Sequence, residues 1–478
     1  MKLRNWQSNC IGLALHKYQS GEDNFFAVAT PGAGKTTMAS VLAAELLKSN
    51  LVDLILCLTP TQATKNSFAE DLAHHTGRSM NGSIGSHGIV LTYQSLGFLE
   101  EDFWSLFSKY RIFVIFDEIH HCGGDTSILG NAWGEIILDK ISDRAQFTLS
   151  ISGTPWRSDK LPVALARYSN NTGILESDYI YGLQEAIRDK VCRIPRIIAI
   201  DNSGISVTRN SENSESRYKS IRDFLNAEKL PLQLLLNNPD IQEDILGRAI
   251  SKLSRIREFD CNAAGLIVAS SVAHAVSIRK ILEETYAVPS VLITHKTPNA
   301  NNVLENFKNS SDQWVISVGM ISEGTNVPRL QVCCHLSRIK TELHFRQVLG
   351  RILRVTPNNY PYAYMFIVAE PKLLEFANRV QDDLPCEAAV VNVLNPREVR
   401  LSSGQTKECI DSSDLIDSRV HSSRVDSHPG ISLDEITPTS IPSLIKIDDF
   451  QRQCETGISV FGSFMEELIS MKSIFDEG

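Results

Sequence analysis

Two short stretches of the sequence carry residue types that bind phosphate and divalent metal. The first, ATPGAGKTT at residues 29–37, follows an apolar run and precedes a segment with helical patterning. Gly32 and Gly34 permit the tight backbone path that points N–H groups and a helix N-terminus at an anion. In such a loop Lys35 reaches the β- and γ-phosphates of ATP, and the Thr36 hydroxyl ligates Mg²⁺. The expected nucleotide contacts here are Thr30, Pro31, Gly32, Ala33, Gly34, Lys35, Thr36 and Thr37. Ala29 stands where the strict phosphate-loop pattern has glycine.

The second stretch, VIFDEIHHC at residues 114–122, ends an apolar run with two carboxylates, two histidines and a cysteine. A phosphate loop needs an acidic residue at the end of a neighbouring strand, and Asp117 would hold the Mg²⁺ there. Glu118 would orient and deprotonate the attacking water. The alternative is a zinc site formed by the two histidines and Cys122. Ligands so close together on a chain do not easily converge on one tetrahedral metal, and no second ligand pair follows, so we favour a magnesium–ATP site.

The elements that position these residues follow from the alternation of short β-branched runs with helical segments. This pattern predicts parallel sheets with crossover helices, in one α/β domain over residues 1–190 and another over 191–395. Within the second domain, the polar stretch 203–217 is expected to be a surface loop or a mobile insertion. Residues 396–430 are rich in Ser and Asp and predict a linker. The tail, 431–478, regains apolar residues, and its segment FGSFMEELISMKSIF predicts an amphipathic helix that packs on the second domain or on a partner.

Composition restricts the class of protein. An apolar fraction of 42% and a charged fraction of 22% are those of a folded soluble protein. The net charge of −9 argues against bulk electrostatic capture of nucleic acid, although it leaves room for a local basic track. Ten cysteines without a C-x-x-C pair suit free thiols in a reducing compartment. No run approaches the roughly 18 apolar residues of a membrane span, and the N-terminus is a poor signal peptide, so we expect a cytoplasmic protein and no membrane partner.

Several motifs together resemble the DEAD/DEAH-box class of superfamily 2 helicases and translocases. ATPGAGKT (29–36) and DEIH (117–120) resemble its phosphate loop and acidic motif, and SGTP (152–155) resembles its third motif. SEGTNVP (322–328) resembles the fifth motif, and HFRQVLGRILR (344–354) resembles the sixth. Their order and spacing extend the resemblance over residues 1–395. The resemblance implies two tandem RecA-like phosphate-loop domains that bind and hydrolyse ATP with Mg²⁺.

The resemblance also implies roles for residues of the second domain. Arg351 and Arg354 would reach the γ-phosphate as arginine fingers, whereas the alternative for both is a solvated helix face. Gln347 would help to position the water. Gly324 and Thr325 would lie at the same interface, with Gly324 near the nucleotide and Thr325 near nucleic acid.

Two further positions relate to the nucleotide. Gln7 resembles the upstream glutamine that reads adenine in this class; the alternative is a surface glutamine beside a packed tryptophan. Asn326 stands where related fifth motifs have a carboxylate. An amide keeps hydrogen-bonding ability but loses the charge, which leaves ribose contact or domain coupling at that position in doubt.

Nucleic-acid contacts are expected from loops at the ends of strands in both domains, where hydroxyl, amide and backbone groups hold phosphates. The candidates are Pro60, Thr61, Gln62, Thr92, Gln94, Ser270, Ser271, His295, Lys296 and Thr325. SGTPWRSD and DYIYGLQEAIRDKVCRIP resemble the branch that includes restriction-enzyme motor subunits and DNA-repair translocases. Single-stranded or duplex DNA is therefore the expected partner, ahead of RNA.

The sequence thus predicts an ATP-dependent DNA helicase or translocase that serves as a motor subunit in repair, restriction or phage defence. We find no nuclease constellation, so cutting would fall to a partner, and the tail is a candidate docking element. One alternative is an ATP-dependent nucleic-acid clamp or switch that does not translocate. The other is an RNA helicase.

Overall fold

The computed structural model describes residues 3–122, 132–154, 162–169, 175–209, 214–227, 232–319, 327–356, 360–382 and 456–471. The strands are β1 (Asn24–Ala29), β2 (Leu54–Thr59), β3 (Gly88–Thr92), β4 (Ile112–Asp117), β5 (Phe147–Ser152), β6 (Arg167–Tyr168), β7 (Leu175–Glu176), β8 (Tyr179–Tyr181), β9 (Ile194–Asn202), β10 (Ile205–Arg209), β11 (Ser214–Tyr218), β12 (Ala264–Ala269), β13 (Ser290–Ile293), β14 (Trp314–Ser317), β15 (Leu330–Leu336), β16 (Tyr362–Val368), β17 (Thr456–Val460) and β18 (Phe464–Ser470). The helices are α1 (Asn5–Gln19), α2 (Lys35–Lys48), α3 (Gln62–Thr76), α4 (Glu101–Trp104), α5 (Leu106–Lys109), α6 (Ala132–Ile136), α7 (Leu183–Arg188), α8 (Ile221–Ala227), α9 (Leu232–Leu236), α10 (Pro239–Arg257), α11 (Val272–Glu284), α12 (Ala300–Asn309), α13 (Glu342–Ile352) and α14 (Pro371–Gln381).

The first sheet has the strand order β3-β2-β4-β5-β1-β8, and all its neighbouring strands are parallel. Every residue of the central strands β4 and β5 is buried, which explains why β4 is an almost continuous apolar run in the sequence and why the polar residues of β5 are small hydroxyl residues. β5 lies between β1 and β4, so the loops after these three strands meet at one edge of the sheet. This order therefore places the phosphate-loop stretch beside the end of β4.

The second sheet has the order β13-β14-β12-β15-β16-β9-β18, with parallel pairing from β13 through to β9. Its central strands are again fully buried. The prediction of two α/β domains with parallel sheets is confirmed. The domain limits 1–190, 191–395, 396–430 and 431–478 stay predictions.

A smaller compact unit is separate from the unit that holds both parallel sheets. It combines residues 201–241 with C-terminal residues up to 465. In it β10 pairs antiparallel with β11 and with β17. The polar stretch 203–217 is therefore mainly a β-hairpin, and its interpretation as a loop was wrong. Ile205 and Val207 are buried, an alternation that the surrounding serines and asparagines obscure in the sequence.

The amphipathic helix predicted over 461–475 is also wrong for the part of that segment that the structure describes. Phe464–Ser470 forms β18 and joins the second sheet next to β9. Pairing with an open sheet edge outweighs local helical propensity here. The alternative that the tail packs on its own second domain is confirmed for these residues, while the predicted linker, 396–430, lies outside the described residues. Among the described helices, none has the length and apolar character needed to cross a membrane.

Candidate functional site

The phosphate loop occupies the turn between β1 and α2. Gly32 and Gly34 have φ of 84° and 92°, a left-handed conformation that disfavours side chains with a Cβ. The amide of Ala33 donates to the carbonyl of Thr30 at 3.1 Å. Lys35 begins α2, so the free N–H groups of the first helical turn face the loop. Thr36 and Thr37 lie in that first turn and are partly exposed.

Helix α1 holds this loop from the side. Arg4 Nη1 and Trp6 Nε1 both donate to the carbonyl of Ala33, at 2.6 and 3.2 Å. Gln7 Nε2 donates to the carbonyl of Gly34 at 2.9 Å, while its Oε1 accepts from the backbone N–H of Arg4. Gln7 is therefore a buried support of the phosphate loop rather than a surface glutamine.

Lys35 and Glu118 form the ion pair at the centre of the site. Lys35 Nζ lies 3.2 Å from Glu118 Oε1 and donates to the carbonyl of Ala29 at 3.2 Å. A Cβ on Gly153 would lie 2.8 Å from this ammonium, so a side chain at position 153 would displace it. The phosphate loop, the acidic motif and the third motif thus meet at one point.

The carboxylate of Glu118 is fixed by the end of β5. Its Oε2 accepts from Ser152 Oγ at 3.0 Å and from the N–H of Gly153 at 3.1 Å. Glu118 itself has φ of 48°, a left-handed conformation that is uncommon outside glycine. The backbone turn directs this side chain toward Lys35 immediately after Asp117, which ends β4.

The two neighbouring carboxyls have opposite pKa shifts. Burial, reinforced by the charge of Glu118, raises the pKa of Asp117. Burial would also raise the pKa of Glu118, but the charges of Lys35 and His120 and the N–H of Gly153 outweigh it and lower that pKa. Glu118 is consequently ionised, whereas the charges of Lys35 and His121 and the N–H of Glu118 compensate the charge of Asp117 only in part.

His120 contributes to this arrangement instead of forming a metal centre. Its Nδ1 lies 2.9 Å from Ser152 Oγ and 3.5 Å from Glu118 Oε2, and the side chain is buried. Within the described ranges, no group of three or more histidine, cysteine or acidic side chains could hold a metal ion on its own. The sequence presented this histidine only as part of the DEIH string and as a candidate zinc ligand, and its role in fixing Glu118 was not predicted.

The residues fit a magnesium–nucleotide complex. Asp117 is buried and its charge is compensated only in part, so a cation next to it would favour its ionised form. Thr36 supplies a hydroxyl in the first turn of α2. Together with phosphate oxygens from a nucleotide, these are the hard oxygen donors that Mg²⁺ prefers. Thr36 and Asp117 are the residues that would hold it.

Helix α13, which lies between β15 and β16 in the chain, packs directly on the phosphate loop. A Cβ on Gly350 would lie 2.7 Å from Pro31 Cβ, so only glycine allows this approach. A Cβ on Gly32 would lie 3.1 Å from Arg354 Cγ. Cys192 Sγ, 3.6 Å from the carbonyl of Pro31, adds a contact from the segment between the two sheets. Residues of α13 and of the segments next to it therefore contact the phosphate loop.

The predicted arginines belong to this helix and the residues after it. Gln347 and Arg351 lie on α13 and are partly exposed, and Arg354 follows in a short bridge with Cys192. Burial, together with the charge of Arg351, lowers the pKa of Arg354 to about 9, so this side chain stays charged at neutral pH. A freely solvated helix face does not describe Arg354. Gly324, Thr325 and Asn326 lie outside the described residues.

The first-domain candidates for nucleic-acid contact lie at the ends of β2 and β3. Thr61 caps α3 by accepting from the N–H of Thr64. Gln94 Nε2 donates to the carbonyl of Pro60 at 3.3 Å, which joins the two strand-end loops. The remaining candidates there are Gln62, bonded to Asn66, and Thr92, bonded to Ser95.

The second-domain candidates lie at the ends of β12 and β13. Ser271 caps α11, and Ser270 Oγ lies 2.7 Å from His274 Nδ1. His295 and Lys296 are exposed after β13. Since β12 and β13 both flank β14 in a parallel sheet, these loops share one edge. The candidates of the first domain thus lie close together at one edge of the first sheet, and those of the second domain lie at one edge of the second sheet. Their contact with nucleic acid stays a prediction.

Comparison with known proteins agrees with this geometry. Residues 1–157 match the family described as type III restriction enzyme, res subunit. An uncharacterised protein of Mycobacterium leprae is 29% identical over 397 residues, which cover 79% of this chain and 64% of that protein. The DNA 3'-5' translocase XPB2 of Sulfurisphaera tokodaii is 22% identical over 380 residues, covering 74% of this chain and 79% of the relative. A solved fragment described as the HsdR subunit of a type I restriction enzyme from Vibrio vulnificus superposes with a TM-score of 0.56 at 16% identity, over 80% of this chain and 67% of that one.

The chain resembles the superfamily 2 helicases. Its resemblance is to the restriction-motor and DNA-repair branches, and the fold is that of tandem RecA-like domains. The predicted resemblance is confirmed. The chain spans 64% of the length of the M. leprae relative, so the activity of the whole protein is a matter for proposal.

Three side chains that shape this site were not predicted from the sequence. Arg4 and Trp6 hold the phosphate loop, and Trp6 stacks on Tyr181 at 4.9 Å between ring centroids. Cys192 contacts Pro31 from the segment between the domains. Only the proximity of Trp6 to Gln7 in the sequence hinted at the first pair, and nothing local marks Cys192.

Proposed function

We propose that this chain is an ATP-hydrolysing motor that moves on DNA. The observation that carries the proposal is the contact of α13 with the phosphate loop at Gly350 and Pro31. A hydrolysis site assembled from both domains couples the nucleotide to the distance between them. A phosphate loop on one domain alone has no such coupling.

In the proposed reaction, the phosphates of ATP lie against the loop and the N-terminus of α2, with Lys35 on the β- and γ-phosphates. The phosphates then compete with Glu118 for Lys35, which now pairs with it at 3.2 Å. Losing part of that pairing makes the Glu118 carboxylate more basic. Glu118 takes the proton of a water that attacks the γ-phosphorus, and the bond to the β-phosphate oxygen breaks to give ADP and phosphate.

Further residues complete the site. Thr36 and Asp117 would hold Mg²⁺, which would supply positive charge to neutralise the phosphate oxygens. Arg351 and Arg354 approach the γ-phosphate from the second domain, and Gln347 orients the water beside Glu118. When the γ-phosphate leaves, the arginines lose their anion, and the two domains are free to separate.

Nucleic acid is proposed to bind at the loops that follow the β-strands of both sheets. A change in the distance between the domains would then move one set of contacts along the nucleic-acid strand. DNA is favoured over RNA because the translocase XPB2 of S. tokodaii is named for DNA and the restriction-enzyme families act in DNA restriction. A role as a motor subunit in restriction, repair or phage defence, with cutting by a partner nuclease, extends the same proposal.

The test is steady-state ATP hydrolysis by the purified chain, alone and with single-stranded DNA, duplex DNA, forked DNA and RNA. Glu118→Gln is the blank, because it keeps the shape of the side chain and removes the base. We expect stimulation by one DNA form and a loss on the order of 10²- to 10⁴-fold in the blank. Preferential stimulation by RNA would assign the RNA-helicase alternative. ATP binding without stimulation by any polymer would contradict the motor.

A further inference from the structure

Arg193 is a fully buried cation in the segment between the two sheets. Its side chain is 0% exposed, and it lies between Cys192, which contacts the phosphate loop, and the first residue of β9. A buried charge is costly unless several groups compensate it. The stretch DYIYGLQEAIRDKVCRIP contains this arginine, but the resemblance assigns no role to it, so its partners must explain why the position carries a charge.

The guanidinium of Arg193 ties together three separate parts of the second domain. Its donors reach Pro328 O (3.2 Å), Leu330 O (3.2 Å), Ile352 O (3.1 Å), Tyr360 O (3.3 Å) and Thr356 Oγ1 (3.2 Å). Its backbone N–H donates to the carbonyl of Leu353 at 2.7 Å. Pro328 ends the fifth motif, and Ile352 ends α13. One side chain thus fixes the end of the fifth motif to the end of the arginine-bearing helix.

The contacts suit the end of a helix in particular. The last carbonyls of a helix have no partner within it, and they carry its negative dipole end. Arg193 binds the carbonyls of Ile352 and Leu353, immediately before Arg354. It therefore sets where α13 ends and the path of the chain that leads to Arg354.

A buried carboxylate compensates the charge. Thr356 Oγ1, which accepts from Arg193, lies 3.4 Å from Asp260 Oδ2, and Gln331 Nε2 donates to the same oxygen at 2.7 Å. Burial lowers the pKa of Arg193 to about 10, while the charge of Asp260 opposes that shift. Arg193 is thus charged at neutral pH and paired through Thr356.

We propose that Arg193 is a positioning residue for ATP hydrolysis, which holds α13 and the end of the fifth motif in register so that Arg351 and Arg354 meet the nucleotide on the phosphate loop. This inference rests on the proposed function. Arg193 does not touch the nucleotide itself; it acts through the helix end that it caps. Lysine cannot replace it, because an ammonium has no planar fork that reaches five acceptors at once.

Arg329 is a matched control in the same domain. It is also buried, and burial lowers its pKa to about 10. Its acceptors are the carbonyls of Asn262, Phe307 and Asp312 and the hydroxyl of Ser310, none of which belongs to α13. Replacing either arginine with lysine keeps the charge and removes the fork, so a purely structural role predicts similar effects from both.

The experiment compares Arg193→Lys, Arg329→Lys and Thr356→Val in the full chain. Thr356→Val removes one acceptor of Arg193 and its link to Asp260, which loosens the hold of the guanidinium on the carbonyls of Pro328 and Ile352 without changing those acceptors. For each variant we would measure DNA-stimulated kcat, KM for ATP, thermal unfolding, and hydrogen exchange of the peptide that covers 345–356. We expect Arg193→Lys to lose about 10- to 100-fold in kcat with KM nearly unchanged, since small misplacement of a catalytic group costs this much. Exchange should rise over 345–356 in this variant and not in Arg329→Lys.

The outcomes separate the positioning claim from the proposed function. Equal losses of kcat in Arg193→Lys and Arg329→Lys, or unchanged exchange over 345–356, would overturn the positioning role. If Arg193→Lys does not fold, Thr356→Val decides: a selective fall in kcat with raised exchange supports the role, and wild-type behaviour overturns it. A wild-type chain that binds ATP but shows no polymer-stimulated hydrolysis overturns the proposed function, and with it the catalytic part of this inference.

Discussion

The substitution Gly350→Ala tests directly whether α13 must rest on the phosphate loop. The new Cβ would lie 2.7 Å from Pro31 Cβ and 2.9 Å from Pro31 Cγ. Carbon atoms in ordinary contact are about 3.5–4.0 Å apart, so helix and loop must separate by roughly 1 Å. The loop yields little, because Arg4, Trp6 and Gln7 hold its carbonyls. A displacement of this size at a catalytic group costs on the order of 10²-fold in rate.

The assay for Gly350→Ala is polymer-stimulated kcat and KM for ATP, together with thermal unfolding. Alanine improves helix propensity by about 1 kcal/mol, which offsets part of the steric cost in stability but none of the cost in rate. Gly12→Ala in α1 is the control, since a Cβ there meets no atom within 4 Å. Wild-type kcat in a folded Gly350→Ala variant would show that hydrolysis does not require this close contact between α13 and the phosphate loop.

Other predictions concern protonation and the support of the phosphate loop. The raised pKa of Asp117 means that the folded state binds this proton more tightly than the unfolded chain does. Asp117 therefore lowers the free energy of unfolding of the protein increasingly as pH rises from the ordinary carboxyl range toward neutrality. Asp117→Asn should therefore raise the Tm more at about pH 7 than at about pH 5, and an equal shift at both would contradict this. Burial, with the charge of His344, lowers the pKa of His335 to about 3. The unfolded chain therefore binds this proton first, and the folded state loses stability as pH falls below roughly 6.5. His335→Gln should weaken this loss in thermal melts measured between about pH 6.5 and about pH 3. Gln7→Ala removes the bond to Gly34 and should raise KM for ATP about tenfold with little change in kcat; equal KM values in steady-state titrations would exclude this support.

The geometry of the phosphate loop and the acidic motif was predictable because their residues end strands and begin helices at recognisable motifs. Lys35 and Asp117 are placed by two buried parallel strands that form plain apolar runs in the sequence. The contact between Glu118 and Ser152 follows from two motifs at neighbouring strand ends. Such features depend on local pattern and on sheet order, which the repeated β–α alternation indicates.

Other features depend on contacts between distant parts of the chain and could not be predicted. Arg193 bonds to carbonyls up to 167 positions away, and a carbonyl acceptor leaves no trace in the sequence. β18 forms because the edge of β9 is free to pair, although its residues alone suit a helix. Val207 is buried in a hairpin whose partner strand, β17, lies near the other end of the chain.

Displacement of a third strand from a DNA triplex measures whether ATP hydrolysis moves this chain along DNA. A motor that travels along the duplex strips off the third strand without unwinding the duplex itself. We expect displacement that needs hydrolysable ATP and disappears in Glu118→Gln. DNA-stimulated hydrolysis with no displacement from a triplex at either end of the duplex, and no unwinding of forked DNA, would contradict the motor and leave a nucleic-acid switch.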